Sequence, residues 1–134
     1  IVVIMEQGMI AGTILHSAET SLGGLPELAF INLMFWIEVG MSFFVPSSSG
    51  LAVLSMPILA PLADFADVGR DLVVTAYQSA NGLVNLINPT FAVVVGGLAI
   101  GRVSYDRWLA FIWPLLLILT LFISVVISLG ALLS

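Results

Sequence analysis

The chain contains no cysteine and no lysine, and only three arginines, Arg70, Arg102 and Arg107, stand against eight carboxylates. The missing thiols exclude disulfides and thiolate metal sites while leaving the compartment open. With a net charge of -5 there is no cationic surface for phosphate contacts, which argues against a nucleic-acid partner. Charge of either sign is scarce, at 8% of residues where soluble domains carry about 25%. In its place 60% of the 134 residues are hydrophobic, the composition of an integral membrane protein. From Trp108 to Ser134 there is no ionisable side chain for 27 residues, and roughly 20 apolar residues are enough to cross the hydrocarbon core. The opening residues IVVIMEQGMI lack a basic segment ahead of the apolar run, so they do not read as a signal peptide. The chain is expected to start inside a helix of a longer protein.

Helix breakers divide the rest. Residues 1–22 predict a first span whose polar groups Glu6, Thr13, Ser17 and Thr20 fall on one side, with His16 at its border. After the turn ETSLGGLPEL, residues 28–63 form a 36-residue stretch. As one helix it would reach roughly 54 Å, far beyond a single crossing. Its breaker is VPSSSG, so the stretch is expected to fold as a re-entrant hairpin with its tip at 46–50, since irregular backbone at membrane depth must be enclosed or wetted. Residues 72–100 are again too long for a straight span and are interrupted at Asn88 and Pro89, which predicts a broken helix. Residues 108–133 complete the set as a last span. The expected fold is thus an all-α membrane domain occupying 1–134. Arg102 and Arg107 mark an inner loop by the preference of basic residues for the cytoplasmic side. Glu19, Glu27, Asp64, Asp67 and Asp71 gather on the other side, and Trp108 and Trp113 suit an interfacial belt.

Both interruptions carry chemistry. Pro46 has no amide hydrogen and leaves the Ser42 carbonyl without its helical partner. Ser47, Ser48 and Ser49 can cap a following half-helix running to about Ala60, whose free amides and positive dipole end attract a carboxylate, and Gly50 permits close approach. Gln78, Asn81, Asn85 and Asn88 recur at intervals of three, four and three, so four amides line one helix face. Pro89 frees the Asn85 carbonyl, and Thr90 adds a hydroxyl beside it. Amide, hydroxyl and carbonyl oxygens suit a hard cation, and broken helices of transporters hold coupling ions in this manner. The substrate is therefore placed at Ser47, Ser48, Ser49, Gly50, Asn81 and Gly82, and the coupling ion at Asn85, Asn88 and Thr90. None of these side chains titrates, which points to sodium. Glu6, His16 and Glu38 are the candidate proton carriers, Glu38 because an acid within a hairpin arm is a functional candidate by default.

Small polar residues also pack transmembrane helices closely, so a non-transporting helical scaffold is the alternative reading. The coincidence of both polar clusters with breaks that length demands favours ligand sites. An intramembrane serine protease using Ser49 and His16 is the lesser alternative, because His16 lies near a helix end with no further catalytic motif around it.

The segments VPSSSGLAVLSMPILAPLAD, QSANGLVNLINPT and GRVSYDRWLAFIWPL together resemble the C-terminal part of the C4-dicarboxylate anaerobic carriers and their YfcC-like relatives, within the ion transporter superfamily. That resemblance covers nearly the whole chain. It implies a secondary transporter of two inverted repeats, with this chain supplying most of the second, in the cell inner membrane as a multi-pass protein. Its cargo would be a C4-dicarboxylate or an amino acid such as arginine or ornithine, moved by symport or antiport. The partners so implied are that small-molecule substrate, the lipid bilayer, the N-terminal half of the same transporter and a second copy in a homodimer. No enzyme activity and no organic cofactor is implied, only a possible sodium ion. The chain departs from the family pattern at two points, reading SSSGLA where SGSGQA is common and Ala80, Asn81, Gly82 where GDG is common.

Overall fold

The computed structural model describes residue 20 and residues 24–133, and among these the regular structure is all helical. The expected first span, with Glu6 and His16, lies outside the described residues apart from Thr20. Five helices follow one another: α1 Glu27–Phe44, α2 Ser48–Phe65, α3 Arg70–Asn85, α4 Ala92–Ile100 and α5 Tyr105–Leu133. Three of them, α1, α2 and α5, are long and apolar enough to cross a membrane.

α1 starts where Pro26 ends the preceding turn, its carbonyl accepting from the amides of Ala29 and Phe30 at 2.9 and 3.0 Å. Glu27 in the first turn complements the helix dipole. Val45 closes the helix by donating to the Met41 carbonyl, and Pro46 prevents its continuation. Ser47 then caps α2 through its side chain, and α2 runs on to Phe65 with Pro57 and Pro61 inside it. The second arm is thus longer than the expected end near Ala60, because its stop signal lies further on. There the amides of Asp67 and Val68 return to the carbonyls of Asp64 and Ala63, with Asp67 at φ 57°. This is the Schellman arrangement, in which a left-handed residue lets two orphan carbonyls find donors. α4 ends in the same way, with Arg102 at φ 52° and the amides of Arg102 and Val103 returning to Ala99 and Leu98.

The helices meet around one apolar cluster. Phe30, Ile31, Met34 and Phe35 of α1 pack with Leu59, Leu62 and Ala63 of α2, Val73, Ala76 and Ala80 of α3, and Ile127 and Ala131 of α5. The first half of α1 shares this cluster with the last half of α2, so the chain reverses direction at the 45–47 break. The two arms touch each other less than each touches α3, and α1 against α3 is the broadest helix pair. Ala76 and Ala80 are both fully buried, as small residues at a close membrane-helix contact should be. A polar tie adds to the apolar one where Asn32 Nδ2 donates to Ser128 Oγ of α5 at 3.0 Å. α4 buries no residue, and α5 exposes Phe111, Trp113, Ile118, Leu121 and Phe122. Apolar side chains so presented belong against lipid or further protein, not water.

Candidate functional site

At the start of α2, Ser47 Oγ accepts from the Gly50 amide at 3.2 Å and stands 3.5 Å from Ser49 Oγ. A Cβ added to Gly50 would meet that same Oγ at 3.2 Å, so this glycine makes room for the cap beside it. Ser47, Ser48 and Ser49 are exposed, and the amides of Ser48 and Ser49 stand at the positive end of α2.

The tip reaches α3. Ser48 Oγ donates to Asn81 Oδ1 at 2.7 Å, and the Tyr77 hydroxyl donates to the Ser48 carbonyl. Asn81 Oδ1 also accepts from Asn85 Nδ2 at 3.0 Å. These bonds leave Asn81 Nδ2 and Asn85 Oδ1 buried with no partner. One is a donor and the other an acceptor, on residues one helical turn apart whose amides join each other and the capped start of α2. A donor of this kind answers a carboxylate oxygen, and an acceptor answers an ammonium or a cation. An unsatisfied polar atom in a buried place costs on the order of 1–3 kcal/mol unless something fills it.

Asn88 does different work. It is wholly buried, and its Nδ2 donates to the carbonyls of Ser42 and Phe43 at 3.4 and 3.0 Å. The Ser42 carbonyl is the one that Pro46 releases, so the amide of one break repairs the backbone of the other. Asn88 Oδ1 accepts from the Thr90 amide and hydroxyl at 3.0 and 2.8 Å, filling both of its lone pairs. Of the three residues expected around a coupling ion, only Asn85 keeps a buried oxygen without a partner. Gln78, expected on the amide face, is exposed, and so is Gly82, with open space around its Cα.

Several contributors carry no obvious signal in the sequence. Tyr77 anchors the tip. The unwound segment 86–91 is held by α5, where Trp108 Nε1 donates to the Leu86 carbonyl at 2.9 Å and the Tyr105 hydroxyl donates to the Ile87 carbonyl. Trp108, expected in an interfacial belt, also caps the backbone of this unwound segment; only the spacing of an aromatic pair at the start of α5 hints at it. Glu38 is fully buried in the middle of α1.

Comparison with known proteins agrees with this architecture. The C4-dicarboxylate anaerobic carrier family, DcuC, matches residues 1–132. A protein of Haemophilus influenzae described as uncharacterized is 42% identical over 113 residues, which is 84% of this chain and 22% of that protein. The "Putative basic amino acid antiporter YfcC" of Escherichia coli is 37% identical over 122 residues, 91% of this chain and 24% of that protein. The chain thus spans about a quarter of the length of these relatives. No solved structure matches. With a family match along nearly its whole length and apolar helices long enough to span a bilayer, the chain is part of a multi-pass membrane protein and belongs to the C4-dicarboxylate anaerobic carrier family.

Proposed function

We propose that this chain supplies the C-terminal half-site of an ion-coupled secondary transporter for a small carboxylate or amino acid in the cytoplasmic membrane. In this reading α1 and α2 form a re-entrant hairpin, α3 and α4 form the facing broken helix, and an N-terminal half of the same protein contributes the inverted counterpart. The observation that carries it is the pair of unpartnered buried atoms, Asn81 Nδ2 and Asn85 Oδ1, beside the serine-capped start of α2. Helix packing alone calls for polar groups that satisfy one another. These two do not, and the group they await has the polarity of a carboxylate next to a cation. Sodium is the proposed coupling ion, since the amides and hydroxyls of the site hold oxygens but exchange no proton. Family membership supports a carrier, and the YfcC relative supports including basic amino acids among the substrates to be tried.

The test is uptake by the complete protein in proteoliposomes, with labelled C4-dicarboxylates and basic amino acids offered under a sodium gradient alone and a proton gradient alone. Sodium-driven uptake of one of these, reduced about tenfold or more by Asn81→Ala, is the expected result. Absence of uptake for every compound would leave a helical scaffold as the reading, and unchanged uptake by Asn81→Ala would remove the site from α3.

A further inference from the structure

Glu38 takes no part in the contacts around the tip, yet it is the most completely hidden charged residue among those described. Its exposure is 0%, and neither Oε1 nor Oε2 has a hydrogen-bond partner. One helical turn on, Ser42 is equally buried and its hydroxyl is also unpartnered. Across the hairpin Ser55 of α2, 2% exposed and unpartnered, faces the Glu38 carboxyl. From α3 the Tyr77 phenol lies within electrostatic reach, but its hydroxyl is committed to the Ser48 carbonyl. All three arginines are exposed at helix ends and loops, so among the described residues no cation answers the acid.

Four oxygens from three side chains on two helices therefore gather in an apolar interior, none with a hydrogen-bond partner. An ionised carboxylate is not tolerated there without a counter-charge. A proton on Glu38 would neutralise the carboxyl but supplies one donor, which serves one neighbouring oxygen such as that of Ser55. A cation draws several separate oxygens around itself. Carboxylate and hydroxyl oxygens select a hard ion. One carboxylate balances one positive charge, so a divalent ion would leave net charge in the interior, and among the described residues no three acidic or histidine ligands converge. Potassium is larger and is held by rings of many carbonyl oxygens.

We propose that Glu38, Ser42 and Ser55 form a sodium site between the two arms of the hairpin. The end of α3 at the second break offers one spare side-chain oxygen, that of Asn85, whereas this cluster offers four. Sodium here links α1 to α2, two helices with little direct contact of their own, and so closes the hairpin over whatever the tip holds. Its role in coupling rests on the transporter reading above; the binding itself requires no substrate.

The experiment measures the thermal midpoint of the complete purified protein in detergent while choline is replaced by sodium at constant ionic strength and without substrate. A saturable rise with sodium, absent with potassium, is expected. Glu38→Gln should abolish the rise while melting in choline no lower than the parent, and Ser55→Ala should raise the half-saturating sodium concentration by about tenfold. If Glu38→Gln does not fold, Ser55→Ala carries the test. The site is overturned if either variant responds to sodium as the parent does, if potassium serves equally, or if lowering the pH stabilises the protein in place of sodium. Sodium binding without any uptake would sink the transporter reading and leave the site standing; uptake without this binding would do the reverse.

Discussion

Replacing Asn88 tests whether the two helix breaks are held together by one side chain. Its amide makes four contacts, donating to the Ser42 and Phe43 carbonyls and accepting from the Thr90 amide and hydroxyl. Thr90 is exposed, so its groups find other partners when Asn88 is cut back to alanine. The Ser42 carbonyl, in a buried setting, has no such outlet, and that of Phe43, part-buried, has only a partial one. The Phe43 bond, at 3.0 Å, is well formed, and the one to Ser42, at 3.4 Å, is weak. Counting one well-formed but part-buried bond and one weak buried one, at about 1–3 kcal/mol for a full loss of a buried acceptor's partner, Asn88→Ala should cost roughly 1–3 kcal/mol. Asn88→Asp should cost more, because an oxygen then faces two carbonyl oxygens where a donor stood. Thermal midpoints of the complete protein in detergent give the order: parent highest, then alanine, then aspartate. An alanine variant that melts with the parent, or an aspartate variant that is the more stable of the two, would refute the idea that Asn88 repairs the backbone of the hairpin.

Other substitutions separate binding from folding. Gly82→Leu meets open space and should leave membrane insertion and melting unchanged, yet it should abolish uptake if substrate lies against α3. Gly50→Leu should likewise abolish uptake with insertion intact, at the cost of a small shift of the Ser47 cap; normal uptake by both variants would assign these glycines to packing alone. Trp108→Phe and Tyr105→Phe each remove a donor from the unwound segment and should each lower stability by about 1 kcal/mol, measured by the same melting assay. No loss in either would show that these donors do not hold the Leu86 and Ile87 carbonyls.

Much of the helix pattern is legible from length and breakers. A largely apolar stretch of 36 residues cannot cross a membrane once as a helix, and Pro46 marks where it gives way; the structure ends α1 at Phe44 and starts α2 at Ser48. The second interruption is visible for the same reason, since Pro89 falls within the unwound segment between Asn85 and Ala92. Neighbouring side chains are harder to read. Helical spacing places Gln78 with the asparagines, but the buried face of α3 is set by Val73, Ala76 and Ala80 packing on α1, which turns Asn81 inward and Gln78 outward. Asn88 is a polar residue at a break, which composition alone cannot distinguish from an ion ligand. Its role follows from carbonyls 45 and 46 residues earlier in the chain. The extent of α2 is hidden for a local reason, because a Schellman stop usually announces itself with glycine and here the left-handed position is Asp67.

The unequal grip of α3 on the two arms has a mechanical consequence. Lifting α1 away would tear open the broad packing of Phe30, Ile31, Met34 and Phe35, the Asn32 tie to α5 and the Asn88 amide together. Lifting the start of α2 would sever the Ser48 link to Asn81 and the Tyr77 phenol's bond to the Ser48 backbone, and would uncover one large apolar side chain, that of Leu51. The hairpin is therefore built as a frame and a leaf. α1 is the frame and the first turns of α2 are the leaf, while the rest of α2 stays seated through Leu59, Leu62 and Ala63 in the shared cluster. In the transporter reading proposed above, such a gate opens by the movement of those first turns, and its threshold is a serine.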